Sequence, residues 1–277
     1  EKARAELGLS DSDTLVCCFG LLQSSKCSAS VLDAWLALQW CNHPDKQLVF
    51  VGGFSTGDPY AQNMLQKIES LGPSRQIKVL GWVDDSVYQC YLLASNLAVQ
   101  LRTDSRGETS AALLNTLAHG IPTLINRHGS MAEVPEHVVH QLPDNFTPAE
   151  LEAALQKLVN DPVYRSRLRQ DALTYVAQKH DLQTQIEVFK GHLQQQANHR
   201  HLSNVRPMVW IDFSFVFLFA DSSPSFFESS MQYLKTAMNS DGLDVDLLPS
   251  VYNPYLEQFV FIPEALDLPQ GTVAQHF

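Results

Sequence analysis

Between Ser105 and Gly120 the chain reads SRGETSAALLNTLAHG, a loop rich in charge and hydroxyl groups that runs into an Ala/Leu-rich helix pattern ending at glycine. The apolar run Leu97-Ala98-Val99-Gln100-Leu101 ahead of it reads as a buried strand, so the unit is strand, loop and helix. Arg102, Arg106, Gly107, Glu108, Thr109 and Ser110 therefore gather at the amino end of a helix. Free N–H groups and the positive end of the helix dipole favour an anion such as phosphate there. A phosphate would repel the Glu108 carboxylate, which fits better against a neutral, hydroxyl-rich group such as a sugar. Taken singly, the residues have plainer accounts. Thr109 and Ser110 can cap the helix, Arg102 and Arg106 can be solvated cations, and Glu108 can favour the helix start by its charge. Their combination in one loop is what points to a site.

The elements that must hold this loop alternate along the chain. TLVCCFG, from Thr14 to Gly20, reads as a buried parallel strand, and the loop after it carries Lys26. A helix follows from about Ser30 to Trp40, with Val31, Ala34, Trp35 and Leu38 on one face. Gln47 to Gly53 is the second strand, and Asp58-Pro59 is an N-cap followed by proline at the first helical position. Ile77 to Val83 and Asp85 to Ala94 supply the third strand and helix, and Ile121 to Asn126 supplies the fifth strand after the key helix. The loop HGSMAEVPE then leads to a short strand, Val138 to Leu142. Thr147 to Glu150 is a capping box, and Asp161-Pro162 repeats the cap-plus-proline device. Helices from about Pro148 to Val159, Pro162 to Lys179 and Leu182 to Gln196 close this part. Such alternation implies an α/β fold with a doubly wound parallel sheet, the Rossmann-like arrangement. Ligands bind such sheets outside the carboxyl ends of the strands. Lys26 follows the first strand, Arg102 to Ser110 the fourth, and Gly129-Ser130 the fifth, so all three reach one edge.

Composition bounds the rest. The 277 residues allow two α/β domains or one large one, with 45% hydrophobic and 18% charged residues, as in soluble globular chains. Of the net charge of -11, -8 falls from Pro207 onward, where Lys235 is the one base among nine acids. No basic stripe marks a nucleic-acid partner. Cys17, Cys18, Cys27, Cys41 and Cys90 are odd in number and lack CxxC spacing, which fits buried free thiols in a reducing compartment. The ten histidines are scattered; His199 and His201 lie in a polar connector as solvated side chains. No metal ligand set is read. The longest apolar run, near Val209 to Ala220, contains Asp212 and is too short to span a bilayer.

Residues 1–196 thus read as a ligand-binding domain and 197–206 as a linker. Residues 207–277 read as an incomplete α/β segment: VWIDFSF as a strand, a helix from about Pro224 to Asn239, then DVDLLPSVY. That segment either packs on the first domain or opens a further domain of a longer chain. The sequence starts at Glu1 without methionine, directly in the helix-like EKARAELGL, so an amino-terminal portion is expected upstream.

The order FG, Lys26, LVFVGG, GWV, SRGETSAALLNTLAHGIPTLIN and HGSMAE resembles the nucleotide-sugar-binding carboxyl-terminal half of GT-B glycosyltransferases, specifically the retaining family 4 group. The resemblance covers about Glu1 to Gln196 and is most specific from Ser105 to Glu133. The RGETSA form is similar to enzymes of bacterial surface polysaccharide assembly, which often carry several transferase domains, and VWIDFSF would open the next. The resemblance implies transfer of a sugar from a nucleoside-diphosphate sugar to a hydroxyl acceptor, a glycan or lipid-linked saccharide, with retention. It implies no cofactor and no metal, an acceptor site mainly on a preceding domain, and a place in the cytoplasm or at the inner membrane surface.

Residue by residue, the resemblance places Lys26 on the donor diphosphate just after the strand that ends at Gly20. The arginine usual after that glycine is Leu21 here, and Arg102 or Arg106 is left to supply its charge. The family's two glutamates, separated by seven intervening residues, contact the transferred sugar and the ribose. Aligning on Gly120 puts Asn115 at the second and leaves Glu108 one residue nearer than the usual first. Asn115 can still bond a ribose hydroxyl, more weakly than a carboxylate would. Gly107, Thr109 and Ser110 belong to the anion-facing helix start, and Gly129, Ser130 and Glu133 match the glycine-rich loop and glutamate after the fifth strand. Lys26, Arg106 and Glu108 would carry the catalytic step. Two alternatives stand beside transfer: a module that binds nucleotide sugar without turnover, and another GT-B enzyme such as a sugar-nucleotide epimerase.

Overall fold

The computed structural model describes residues 2–72, 76–105, 108–199, 208–212, 246–253 and 258–261. Its contacts divide the chain into two compact units, Glu1–Gln178 and Lys179–Phe277. The first holds α1 (Lys2–Glu6), β1 (Thr14–Phe19), α2 (Ser28–Ala37), β2 (Lys46–Val51), α3 (Pro59–Ser70), β3 (Ile77–Val79) and α4 (Asp85–Ala94). It continues with β4 (Leu97–Gln100), α5 (Ala111–Ala118), β5 (Thr123–Asn126), β6 (His140–Leu142), α6 (Pro148–Asn160) and α7 (Pro162–Lys179). The six strands form one parallel sheet in the order β3-β2-β1-β4-β5-β6, the doubly wound topology that the alternation implied.

The strands are apolar on both sides because both faces are covered. Val16, Leu48, Phe50, Leu97, Val99 and Leu124 pack in one cluster with Val31, Leu32 and Trp35 of α2, Met64 of α3, and Leu151, Leu155 and Leu158 of α6. Their neighbours Leu15, Cys17, Val49 and Val51 pack on the other side with Tyr91, Leu92 and Ala94 of α4. Ile125 joins Leu113 and Leu117 of α5 and Ala172 of α7. Caps are placed where the sequence puts them. Asp58 accepts from the Tyr60 N–H, Asp161 from the Tyr164 N–H, and Thr147 with Glu150 forms the reciprocal capping box.

The strand order reverses between β1 and β4, which pair only at Val16–Leu97 and Cys17–Ala98 before parting. Past that point a buried side chain replaces the ladder. With its amide oriented to pair both groups, Gln100 donates to the Phe19 carbonyl at 3.0 Å and accepts from the Phe19 N–H at 2.9 Å. On the other side of β1, a Cβ at Gly52 would overlap the Gly20 carbonyl, so the ends of β1 and β2 touch backbone to backbone.

Several boundaries differ from the sequence reading. β3 stops at Val79, because Gly81 takes φ +72 and makes an antiparallel bridge to Gly52. α2 starts earlier and ends at Ala37, since Gln39 turns left-handed and Trp40–Asn42 forms a separate short turn. Among the cysteines, all of them free, Cys17 and Cys27 are buried, while Cys18, Cys41 and Cys90 are partly exposed. Burial pushes the Cys17 thiol up to about 12.

The second unit contains α8 (Leu182–His199), β7 (Met208–Asp212), β8 (Asp246–Asn253) and β9 (Gln258–Phe261). β7 and β8 pair in parallel and β9 adds antiparallel to β8. The described parts of the two expected strands are strand, while residues 213–215 and 244–245 of them and the helix expected from Pro224 to Asn239 lie outside the described residues. The sequence reading grouped the helix that is now α8 with the first domain; by contacts it belongs to the second unit, and it runs three residues into the expected linker. No described helix is long and apolar enough to cross a membrane.

Replacing Gln100 by the near-isosteric methionine removes both bonds to Phe19 and leaves two buried backbone groups unpaired. The Gln100→Met variant is expected to lose about 2–4 kcal/mol, read by urea unfolding against the parent.

Candidate functional site

Four loops meet at the carboxyl edge of the first unit. The loop after β1 ends in a short turn, Ser24–Lys26, and Cys27 in the left-handed region (φ 52) redirects the chain into α2. This turn brings Lys26 back over the sheet edge, half-buried. The β4 loop is tied to it, for the Thr103 N–H donates to the Ser25 carbonyl at 3.0 Å.

Asn126, at the end of β5 and fully buried, holds the next junction. Its Oδ1 accepts from the Arg102 N–H at 2.8 Å and its Nδ2 donates to the Arg102 carbonyl at 2.6 Å. The same Nδ2 lies 3.2 Å from Asp144 Oδ1, in the loop after β6. Beyond Asn126 the β4 and β5 loops stay zipped. Gly129, at φ +53, lies so close to Ser105 that a Cβ there would overlap the serine hydroxyl. Ser130 Oγ donates to the Glu108 carbonyl at 2.8 Å.

These ties place three charged side chains together. The Arg102 guanidinium is 8% exposed and its Nη1 is ion-paired with Glu108 Oε1. Its Nε is buried and has no hydrogen-bond partner among the described residues. Lys26 is near enough to feel both. Burial and the Arg102 charge hold its ammonium below the usual lysine range, and Glu108 partly offsets them. Two cations and one carboxylate at a half-enclosed edge suit a ligand that brings both negative charge and hydroxyl groups.

Of the sequence-named residues, Lys26, Arg102, Glu108 and Ser130 are drawn together here, with Gly20 at the end of β1 and Gly129 in the zipped loop. Arg106 and Gly107 lie outside the described residues. Ser110 is buried and serves as the N-cap of α5, its oxygen accepting from the Leu113 N–H at 3.3 Å, so its hydroxyl is taken by the helix. Thr109 is exposed beside it. Asn115 is exposed one turn along α5 and donates to Tyr88 Oη of α4 at 3.5 Å. Tyr88 stacks edge-on against Phe19 at 5.3 Å, which keeps Asn115 near the end of β1. Glu133 is exposed at the far end of the Gly129–Glu133 turn, and its charge acts on Tyr175 of α7.

Sequence reading missed Asn126, Asp144, His128 and Gln100 as parts of this edge. A signal existed for two of them: Gln100 and Asn126 are polar residues closing otherwise apolar, buried strands. Asp144 and His128 carried none, since their roles depend on which loops meet.

The family model described as "Glycosyl transferases group 1" matches residues 1–175. No curated protein matches the chain. Among solved structures, the C-terminal domain of a glycosyl transferase group 1 family protein (LpcC) from Francisella tularensis is similar with TM-score 0.56 and 17% identity, over 65% of this chain and 92% of that one. Anabaena HepE in complex with UDP and glucose gives TM-score 0.59 and 22% identity, over 70% of this chain and 51% of that one. Sucrose-phosphate synthase from Thermosynechococcus elongatus gives 0.58 and 20%, over 72% and 49%. The chain spans about half the length of the last two, and at these identities the likeness is one of fold.

Asn126→Ala would leave the Arg102 N–H and carbonyl unpaired in a buried place. A loss of about 2–4 kcal/mol on urea unfolding is expected.

Proposed function

The chain belongs to the group 1 glycosyl transferases, and from that membership we propose that its first unit binds a nucleoside-diphosphate sugar. The sugar is passed to a hydroxyl acceptor, a glycan or lipid-linked saccharide, with retention at the anomeric carbon, in the assembly of bacterial surface polysaccharide or lipopolysaccharide. The observation that carries this reading is the meeting of Lys26, Arg102 and Glu108 on the strand edge, joined by Ser130 through the Glu108 carbonyl. That HepE has been solved with UDP and glucose supports it.

In this reaction the bond from the anomeric carbon to the diphosphate oxygen breaks and its electron pair leaves with the diphosphate. The acceptor oxygen bonds the same carbon from the same face, and its proton passes to the departing diphosphate. Negative charge grows on the leaving group, where Lys26, Arg102 or Arg106, and the helix start at Thr109 lower the barrier by fixed positive potential. Glu108 orients sugar hydroxyls and needs no role as a base. Gly20 leaves room for the donor, Gly129 keeps the β5 loop close against Ser105, Gly107 belongs to the anion-facing loop, Asn115 bonds the ribose, and Glu133 completes the glycine-rich loop on the sugar side. Side chains supply the positive charge, so the proposal includes neither metal nor cofactor. The acceptor is held by the part of the protein that corresponds to the other half of its longer relatives, in the cytoplasm or at the inner membrane surface.

One observation favours a second reading, a donor-binding module without turnover. Leu21, 43% exposed, stands where the resemblance places a diphosphate-binding arginine. Product analysis with a labelled donor separates the two readings, and separates transfer from epimerisation.

Calorimetric titration with UDP, GDP, UDP-glucose and GDP-mannose tests donor binding. One base is expected to bind. Lys26→Ala should weaken the nucleotide and its conjugate alike by roughly 10- to 100-fold, the worth of a charge-assisted contact. Glu108→Ala should weaken the conjugate alone. The lowered Lys26 ammonium loses its proton earlier as pH rises, so affinity should fall toward alkaline pH, and Lys26→Arg should flatten that fall. No binding, or a Lys26→Ala variant that binds like the parent, contradicts the reading.

A further inference from the structure

His128 follows β5 on the same edge, between Asn126, whose amide holds Arg102, and Gly129, which packs on Ser105. Its Nδ1 lies 2.9 Å from Asp144 Oδ1, the oxygen that also receives Asn126 Nδ2. An ionised carboxylate only accepts, so Nδ1 carries the proton and in the neutral ring Nε2 presents a lone pair. Nε2 has no hydrogen-bond partner among the described residues, and 21% of the side chain is exposed. The dyad borders the charged cluster. Asp144 adds to the burial that raises the Cys27 thiol, beside Lys26, and the Thr103 N–H, next to Arg102, bonds the Ser25 carbonyl of the same turn. Two residues on, Ser130 holds the Glu108 carbonyl.

A lone pair backed by a carboxylate repels phosphate oxygens and attracts O–H donors. We propose that His128 Nε2 accepts a hydrogen bond from a hydroxyl of the sugar on the bound donor. Asp144 fixes the tautomer, and His128 thereby takes part in choosing which sugar is accepted. This rests on the nucleotide-sugar reading above.

The test compares the parent with His128→Asn and His128→Gln, using UDP with UDP-glucose and GDP with GDP-mannose, and thermal midpoints alongside. Asparagine keeps an N–H where Nδ1 holds Asp144 but has no atom at the Nε2 position; glutamine reaches that position with its carbonyl. The asparagine variant is expected to keep the parent's midpoint and nucleotide affinity while losing about tenfold in conjugate affinity, the worth of one hydrogen bond. Glutamine should restore part of the loss. If His128→Asn binds the conjugate like the parent, His128 only braces the loop, and equal losses of nucleotide and conjugate mean a phosphate contact. Either result overturns the inference while the donor reading stands. A parent that binds neither nucleotide nor conjugate removes the donor reading and this inference with it.

Discussion

Two neighbouring parallel strands that part create the cleft, and they also create a debt of unpaired backbone groups that the rest of the edge must meet. β1 and β4 share only two paired positions before separating. Buried N–H and carbonyl groups without partners are costly. Two carboxamides take those groups: Gln100 bonds the Phe19 backbone and Asn126 bonds that of Arg102. Both present a donor and an acceptor together, which a hydroxyl or carboxylate side chain could not do in the same geometry. The opening is therefore a built feature with a fixed shape, and the loops after β1, β4, β5 and β6 hang from it.

Electrostatics follow from that frame. Arg102 cannot turn away from the edge, because its backbone is clamped and its side chain buried, so its charge must be met where it stands. Glu108 meets part of it. Lys26, raised over the edge by the turn at Cys27, adds a second cation whose charged form burial already disfavours. An anion entering here would relieve both cations, and the carboxylate beside them would favour a ligand whose other end carries hydroxyls.

Most of the architecture was legible in the chain. Continuous apolar runs such as Thr14–Phe19, alternating with capped helices such as those starting at Asp58 and Thr147, determine a parallel sheet before any contact is known. Lys26 and the Arg102–Ser110 loop were legible because a strand end and a helix start place them on one edge. Ser110 shows the limit of that logic, since the same hydroxyl serves equally as a cap, and here the cap uses it. Asn115 was read through the resemblance alone, and its partner Tyr88 comes from a helix 27 positions away. Asp144 and His128 depend on loops after different strands meeting in space, information that no local spacing carries.

The central claim is that this strand edge holds a nucleoside diphosphate, and diffraction from crystals grown with UDP or GDP examines it most directly. The account predicts diphosphate density within hydrogen-bonding reach of Lys26 Nζ, with the sugar-bearing phosphate directed toward Glu108 and the β5 loop. A nucleotide bound at another surface, with Lys26 and the Arg102–Glu108 pair untouched, would contradict it.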